Sequence, residues 1–417
     1  MKIKIKKTSF DELPKIKADK HPPKKPNLFF RTLLKLVSFF PLKGAKFKAE
    51  FVGMEKLNKK QPCLILMNHS SFIDLEIAAS LFYPRPINIV TTADAFVGKD
   101  WLLRQIGCIK TIKYTTGVAL IKKIQYALNT LRSSVLMFPE AGYSLDGKSC
   151  SLPDSLAKCV KLLGVPLVFV KTFGAFLRQP LYNELILRKT PLSAKIEYLL
   201  SEEEIKNLSV NEIDDIIKNK FSFDAFAEQF ESNAVIDHPE RAKGLHRILY
   251  KCPHCGLEGN MLGEKDYITC LSCGESYNLT PLGKLKKIGG EGKFTKIADW
   301  VDWEKETVRE QVVGDNYSLS IPVSIFAIND SKCLYSLGDG TLIHNGDGFI
   351  LKDAEGNIRY TQSKSKSHTI NCDFYFYEIG DVVNIGDSEN QYYCFPKDKS
   401  VSVYKIRLAA EELYKKN

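Results

Sequence analysis

The 417-residue sequence has no short charged region, apolar core and small-residue cleavage site at its N terminus, the pattern of a secretory leader. That absence predicts a reducing, cytoplasmic environment. Its eleven cysteines stand at irregular spacing, so free or metal-bound thiols are expected in place of a disulfide framework. No internal repeat is visible, and no low-complexity tract beyond the first 26 residues, which excludes solenoids and propellers. The apolar stretch 28–40 is thirteen residues long and carries two cations. A bilayer span needs roughly 20 apolar residues, so this stretch cannot cross a membrane.

What is present divides along the chain. The length predicts two or three domains. Residues 1–60 hold 17 Lys/Arg against 5 Asp/Glu, an excess of 12 within a net charge of +10, so the remainder sits near −2. Basicity is therefore local, and suits an anionic lipid surface or nucleic acid. Residues 1–26 are Lys- and Pro-rich and read as a basic, extended or mobile arm. Residues 27–44 follow as an amphipathic helix, with Phe29, Phe30, Leu33, Leu34, Leu36, Val37 and Phe40 on one arc and Arg31, Thr32, Lys35 and Ser38 opposite. An in-plane interfacial helix ended at Pro41 is predicted.

From residue 45 to 205, short β-like runs at 63–67, 87–91, 134–138, 166–170 and 194–199 alternate with helical stretches at 74–82, 116–131 and 153–163. The alternation predicts an α/β domain, a mixed sheet flanked by helices, with chemistry where strands end and helices begin. Residues 206–248 read as a helical connector, 249–285 as a metal ribbon, and 300–417 as a β-rich domain of pleckstrin-homology-like shape closed by a helix near 404–415.

Two stretches carry candidate chemistry. Asn68-His69-Ser70-Ser71-Phe72-Ile73-Asp74 follows an apolar run and places a His and an Asp five apart at a strand-to-helix turn. A neutral imidazole there can take a proton from a hydroxyl while the carboxylate orients it. Phe138-Pro139-Glu140-Ala141-Gly142-Tyr143-Ser144 also follows a strand-like run, with a proline fixing the chain before a carboxylate and small residues permitting close backbone approach.

Together with Val165-Pro166, these blocks resemble the glycerolipid acyltransferases typified by 1-acylglycerol-3-phosphate acyltransferase, over about residues 28–200. Asn68, His69 and Asp74 match the first block, and Phe138, Pro139, Glu140 and Ser144 match the third. The resemblance implies direct acyl transfer from acyl-CoA or acyl carrier protein to a lysophospholipid hydroxyl, with 1-acylglycerol-3-phosphate the acceptor expected first. His69 is then the general base and Asp74 holds its ring. Backbone N–H groups at the start of the helix after His69 receive the oxyanion, and Glu140, with Asn68 and Ser144, belongs to the acceptor site. The departures concern phosphate: where the family carries arginines, this chain offers Lys110 and Lys113 in the candidate second block and Tyr143 in the third. Lysine is a point charge and tyrosine a neutral hydrogen-bonding group, so phosphate recognition is weakened or altered. An acceptor without a phosphomonoester is the alternative.

Cys252-Pro253-His254-Cys255-Gly256 and, fourteen residues on, Cys270-Leu271-Ser272-Cys273-Gly274 present two Cys-x2-Cys pairs. Four thiolates at this spacing predict one structural Zn²⁺, closed to substrate, that folds its module. A competing class is a nucleic-acid- or lipid-binding zinc-ribbon protein with a degenerate acyltransferase domain. Neither the ribbon nor its surroundings shows a basic stripe interleaved with aromatics. The preferred expectation is a peripheral enzyme on the cytoplasmic face of a membrane, with membrane lipids as partners and no nucleic acid.

Overall fold

The computed structural model describes residues 3–17, 19–114, 117–140, 142–366 and 368–416. A seven-stranded mixed sheet forms its first half, in the order Lys48–Val52, Ser193–Leu200, Leu167–Phe173, Leu64–Met67, Ser134–Met137, Ile87–Thr92, Cys108–Thr111. Neighbours run parallel except Leu167–Phe173 against Ser193–Leu200. Every residue of the central strand Leu64–Met67 is buried, as a parallel strand covered on both faces requires. Alternation sends Ile65 and Met67 into a core with the helix Asp74–Phe82. Leu64 and Leu66 enter a second core on the other face, with Leu156–Leu163 and Val210–Phe221. The strands Lys48–Val52 and Cys108–Thr111 carry no clear sequence signal. The first is exposed along its whole length, so no buried face imposes an apolar pattern on it.

Residues expected to be a connector belong partly to this layer. The helix Val210–Phe221 buries Ile213, Ile217 and Phe221 against the sheet. Ser201–Glu204 and Ser209–Glu212 each form a reciprocal capping box that fixes where a helix begins.

The helix Leu28–Gly44 runs through Pro41, where the sequence predicts a stop. Proline removes its own donor, yet Ala45 N–H donates to Pro41 O and Phe47 N–H to Leu42 O, so the last turn closes around it. This helix is turned inside out. Ser38 is buried, Lys35 donates to Ser80 O and Oγ, and Arg31 donates to Pro84 O. Phe29, Leu33, Leu36, Val37, Phe39 and Phe40 face outward, with Phe40 at 76% exposure.

The metal-ribbon segment is a four-stranded antiparallel sheet ordered Leu285–Lys287, Ser276–Leu279, Tyr267–Cys270, Met261–Glu264. After the helix Ile297–Val313, seven antiparallel strands follow and the helix Val403–Lys415 ends the fold. Their order is Ile358–Ser363, Gly348–Asp353, Leu334–Asn345, Ser318–Ala327, Gln391–Pro396, Gly380–Gly386, Asn371–Phe376. The N-terminal arm runs extended over both halves instead of standing free. Ile5–Lys7 adds parallel to Leu334–Asn345, and Asp19 bridges Arg104 and Lys123. Pro26 lies where a Cβ on Gly107 would be, 2.5 Å from Pro26 Cγ, at a φ of +91°. Only glycine fits there.

Candidate active site

His69 leaves the end of the central strand and Asp74 opens the following helix, which is why residues five apart meet. His69 Nδ1 lies 3.0 Å from Asp74 Oδ2. The same oxygen accepts from the N–H of Ser70 at 2.7 Å and of Ser71 at 3.0 Å, so the turn wraps around the carboxylate. An oxygen already accepting two N–H bonds takes the imidazole proton on Nδ1 as a third, leaving a lone pair on Nε2. Asp74 is fully buried, whereas the His69 side chain keeps 19% exposure. Two rings sandwich the imidazole, Phe138 and Tyr143, each with its centroid 4.0 Å away.

The third block braces the first from beneath. Glu140 accepts from His69 N–H at 2.8 Å through one oxygen and from Cys150 N–H at 3.0 Å through the other. Burial pushes its carboxyl up to about 7, with those two donors pulling the other way. Ser144 N–H donates to His69 O at 2.9 Å, and its hydroxyl to Lys148 O. Asn68 accepts from Thr172 N–H at 2.8 Å and donates to Ser70 Oγ, pinning the turn that carries His69 to the strand Leu167–Phe173.

These contacts revise several expectations. Asn68, Glu140 and Ser144 are engaged by the protein itself, because a sharp turn leaves buried backbone groups that they satisfy. Lys110 is paired with Asp100 at 2.6 Å and reaches Ser331, and Lys113 is paired with Asp94 at 2.7 Å. A lysine paired with a carboxylate at this distance is neutralised before any phosphate arrives, the more so at Lys113, whose partner Asp94 is buried. Of the N–H groups that follow His69, those of Ser70 and Ser71 donate to Asp74. Tyr143 stands directly beside His69, as its place in the block implies.

The C-terminal domain also reaches the site, which sequence reasoning missed. Arg407 donates to Tyr143 O at 3.3 Å and is held by Glu411 at 3.1 Å. Asp146, two residues beyond the third block, accepts from Tyr404 Oη at 2.7 Å and pairs with Lys305 at 2.6 Å. Nothing local in the sequence announces these partners.

The four cysteines converge as expected. Their Sγ atoms all lie within 4.8 Å of one another, with Cys252–Cys273 at 3.6 Å and Cys255–Cys270 at 3.8 Å. A tetrahedron with metal–sulfur bonds of about 2.3 Å has edges of about 3.8 Å, so the thiolates fit a metal ion. His254 is exposed beside them.

Residues 48–171 match the family model described as Acyltransferase, so the segment carrying His69, Asp74 and Glu140 is an acyltransferase domain. The chain is similar to the solved 1-acyl-sn-glycerophosphate (LPA) acyltransferase PlsC from Thermotoga maritima, at 17% identity and a TM-score of 0.34, over 46% of this chain and 79% of that one. No curated protein matches it. Among the described residues no helix is long and apolar enough to cross a membrane.

Proposed function

We propose that this protein transfers a fatty acyl group from acyl-CoA or acyl carrier protein to the free hydroxyl of a lysophospholipid at a membrane surface. The observation that carries the reading is the His69–Asp74 pair at 3.0 Å, with its carboxylate fixed by two backbone N–H groups inside an acyltransferase domain. His69 Nε2 takes the hydroxyl proton as the oxygen attacks the thioester carbonyl. The C–S bond then breaks, and the proton passes to the departing thiolate. Asp74 keeps the ring in its Nδ1–H form and stabilises the imidazolium between these steps.

The outward apolar face of Leu28–Gly44 supports membrane docking in the plane of the interface. Trp101 and Leu102 extend that face: Trp101 packs edge-on against Phe30 and is 66% exposed. The basic N-terminal region suits the anionic, cytoplasmic face of a membrane. The cysteine cluster would hold a structural Zn²⁺, which supplies folding and no step of the transfer. Incubating pure protein with labelled acyl-CoA, acyl carrier protein thioester and a panel of lysophospholipids tests the reading: a diacyl product supports it, and transfer to none overturns it.

A further inference from the structure

Residues 142–146 belong to no helix or strand, so no regular backbone pairing holds them in place. Ser144 is bonded within the acyltransferase domain, but its neighbours on either side are held from the C-terminal domain. Along the helix Val403–Lys415, Tyr404, Arg407 and Glu411 stand three and then four residues apart and so share one face. Tyr404 Oη donates to Asp146 at 2.7 Å, and Arg407 donates to Tyr143 O at 3.3 Å and to Glu411 at 3.1 Å. Thr369 Oγ1 fixes Glu411 in turn, at 2.6 Å. The strand Asn371–Phe376 also meets this stretch: a Cβ on Gly142 would stand 3.3 Å from Asn371 Oδ1.

Arg407 is a costly group to place there. Its side chain is buried, and a buried guanidinium is destabilising unless it is paired and hydrogen-bonded. Even when paired, such a charge adds little net stability over an apolar residue of similar volume. Geometry is the better account of its position, and what it holds is the backbone of Tyr143, whose ring lies 4.0 Å from the His69 imidazole. Rotation of an imidazole about its Cβ–Cγ bond has broad wells. The bond to Asp74 fixes one edge of the ring, and the two flanking rings fix its plane. Phe138 directly follows the strand Ser134–Met137 and is placed by it. Tyr143 has no such support, and its place depends on the bond from Arg407.

We infer that Arg407 is a positioning residue for acyl transfer: from the C-terminal domain it holds Tyr143 against His69, and so keeps Nε2 aimed at the acceptor hydroxyl. The inference rests on the acyl-transfer reading above and adds a residue outside the acyltransferase domain to its machinery. It makes the docked C-terminal domain a requirement for full turnover.

The test is a double-mutant cycle in the full-length protein, with one labelled acyl-CoA and three acceptors: lysophosphatidic acid, lysophosphatidylethanolamine and lysophosphatidylglycerol. Rates are taken per folded protein, as judged by melting curves. Arg407→Gln should lower kcat by about tenfold or more and leave KM for the acceptor within about threefold, since a displacement of about 1 Å at a reacting group costs up to about 10²-fold. In a Tyr143→Ala background, where no ring remains to be held, the same change should alter kcat by less than about twofold. Losses that multiply across the two sites would make Arg407 a brace of the fold alone and overturn the inference. A lowered melting temperature or a raised KM with kcat intact would overturn it too. Should Arg407→Gln fail to fold, Arg407→Lys decides, because it keeps the buried charge but not the fork that reaches Glu411 and Tyr143 together. A several-fold fall in kcat that disappears in the Tyr143→Ala background is then expected, and an unchanged kcat overturns the inference. Transfer by the wild type to none of the three acceptors contradicts the acyl-transfer reading itself, and this inference with it.

Discussion

The carboxylate of Glu140 accepts a hydrogen bond from the backbone N–H of His69 at 2.8 Å, so the third block holds the first in place. Its second oxygen does the same for Cys150 N–H. Glu140→Gln would turn one acceptor into an NH₂ group facing an N–H donor, at a cost of about 1–3 kcal/mol. The expected outcome is a lower melting temperature together with a fall in kcat, with KM for the acceptor little changed. Thermal melts and steady-state kinetics check it. A variant of normal stability with only KM raised would place Glu140 on the acceptor instead.

Asp146 joins the catalytic domain to the helices Ile297–Val313 and Val403–Lys415 through Lys305 and Tyr404. Burial alone would raise its carboxyl, but Lys305 and Tyr404 hold it well below the usual carboxylate range. A carboxylate depressed in the folded state contributes stability above its unfolded value of about 3.9, and loses it as pH falls toward the folded value. Asp146→Asn should therefore cost about 2 kcal/mol at neutral pH. The gap to wild type should narrow below about pH 4. Denaturant melts across pH measure it; a gap independent of pH would contradict the ion pair.

The cysteine cluster predicts one zinc per chain in protein purified without chelator. Cys273→Ser should lower zinc content and melting temperature together. The ribbon side chains Ile268 and Tyr277 share a core with Trp300, so loosening the ribbon loosens the C-terminal domain. Metal analysis at well below one zinc per chain would count against the site.

The outward face of Leu28–Gly44 predicts binding to vesicles containing anionic lipid. Leu36→Glu with Phe40→Glu should weaken that binding by about tenfold or more, since each buried side chain of this size is worth roughly 1.5–3 kcal/mol. The melting temperature in solution should not change, because both side chains are exposed. Unchanged vesicle sedimentation of the double variant would rule out this face as the docking surface.

The parts legible in the sequence are those whose chemistry is local. His69 and Asp74 lie within one turn, the cysteine pairs carry their own spacing, and the helices Asp74–Phe82 and Val403–Lys415 announce themselves by periodicity. Long-range partnership is not written in any short window. Phe138 reads as part of a strand until its ring is seen against His69. Lys110 and Lys113 look available because their partners, Asp100 and Asp94, give no sign of pairing in the linear chain. The helix Leu28–Gly44 shows its two faces in the sequence, but not which one meets the protein; Lys35 settles that by donating to Ser80, and Ser38 by its burial.

The central claim is that His69 is the general base. Purified His69→Ala, folded as judged by its melting curve, should transfer labelled acyl groups from acyl-CoA to a lysophospholipid about 10²–10⁴-fold more slowly than wild type. Near-normal acyl transfer by that variant would contradict the account.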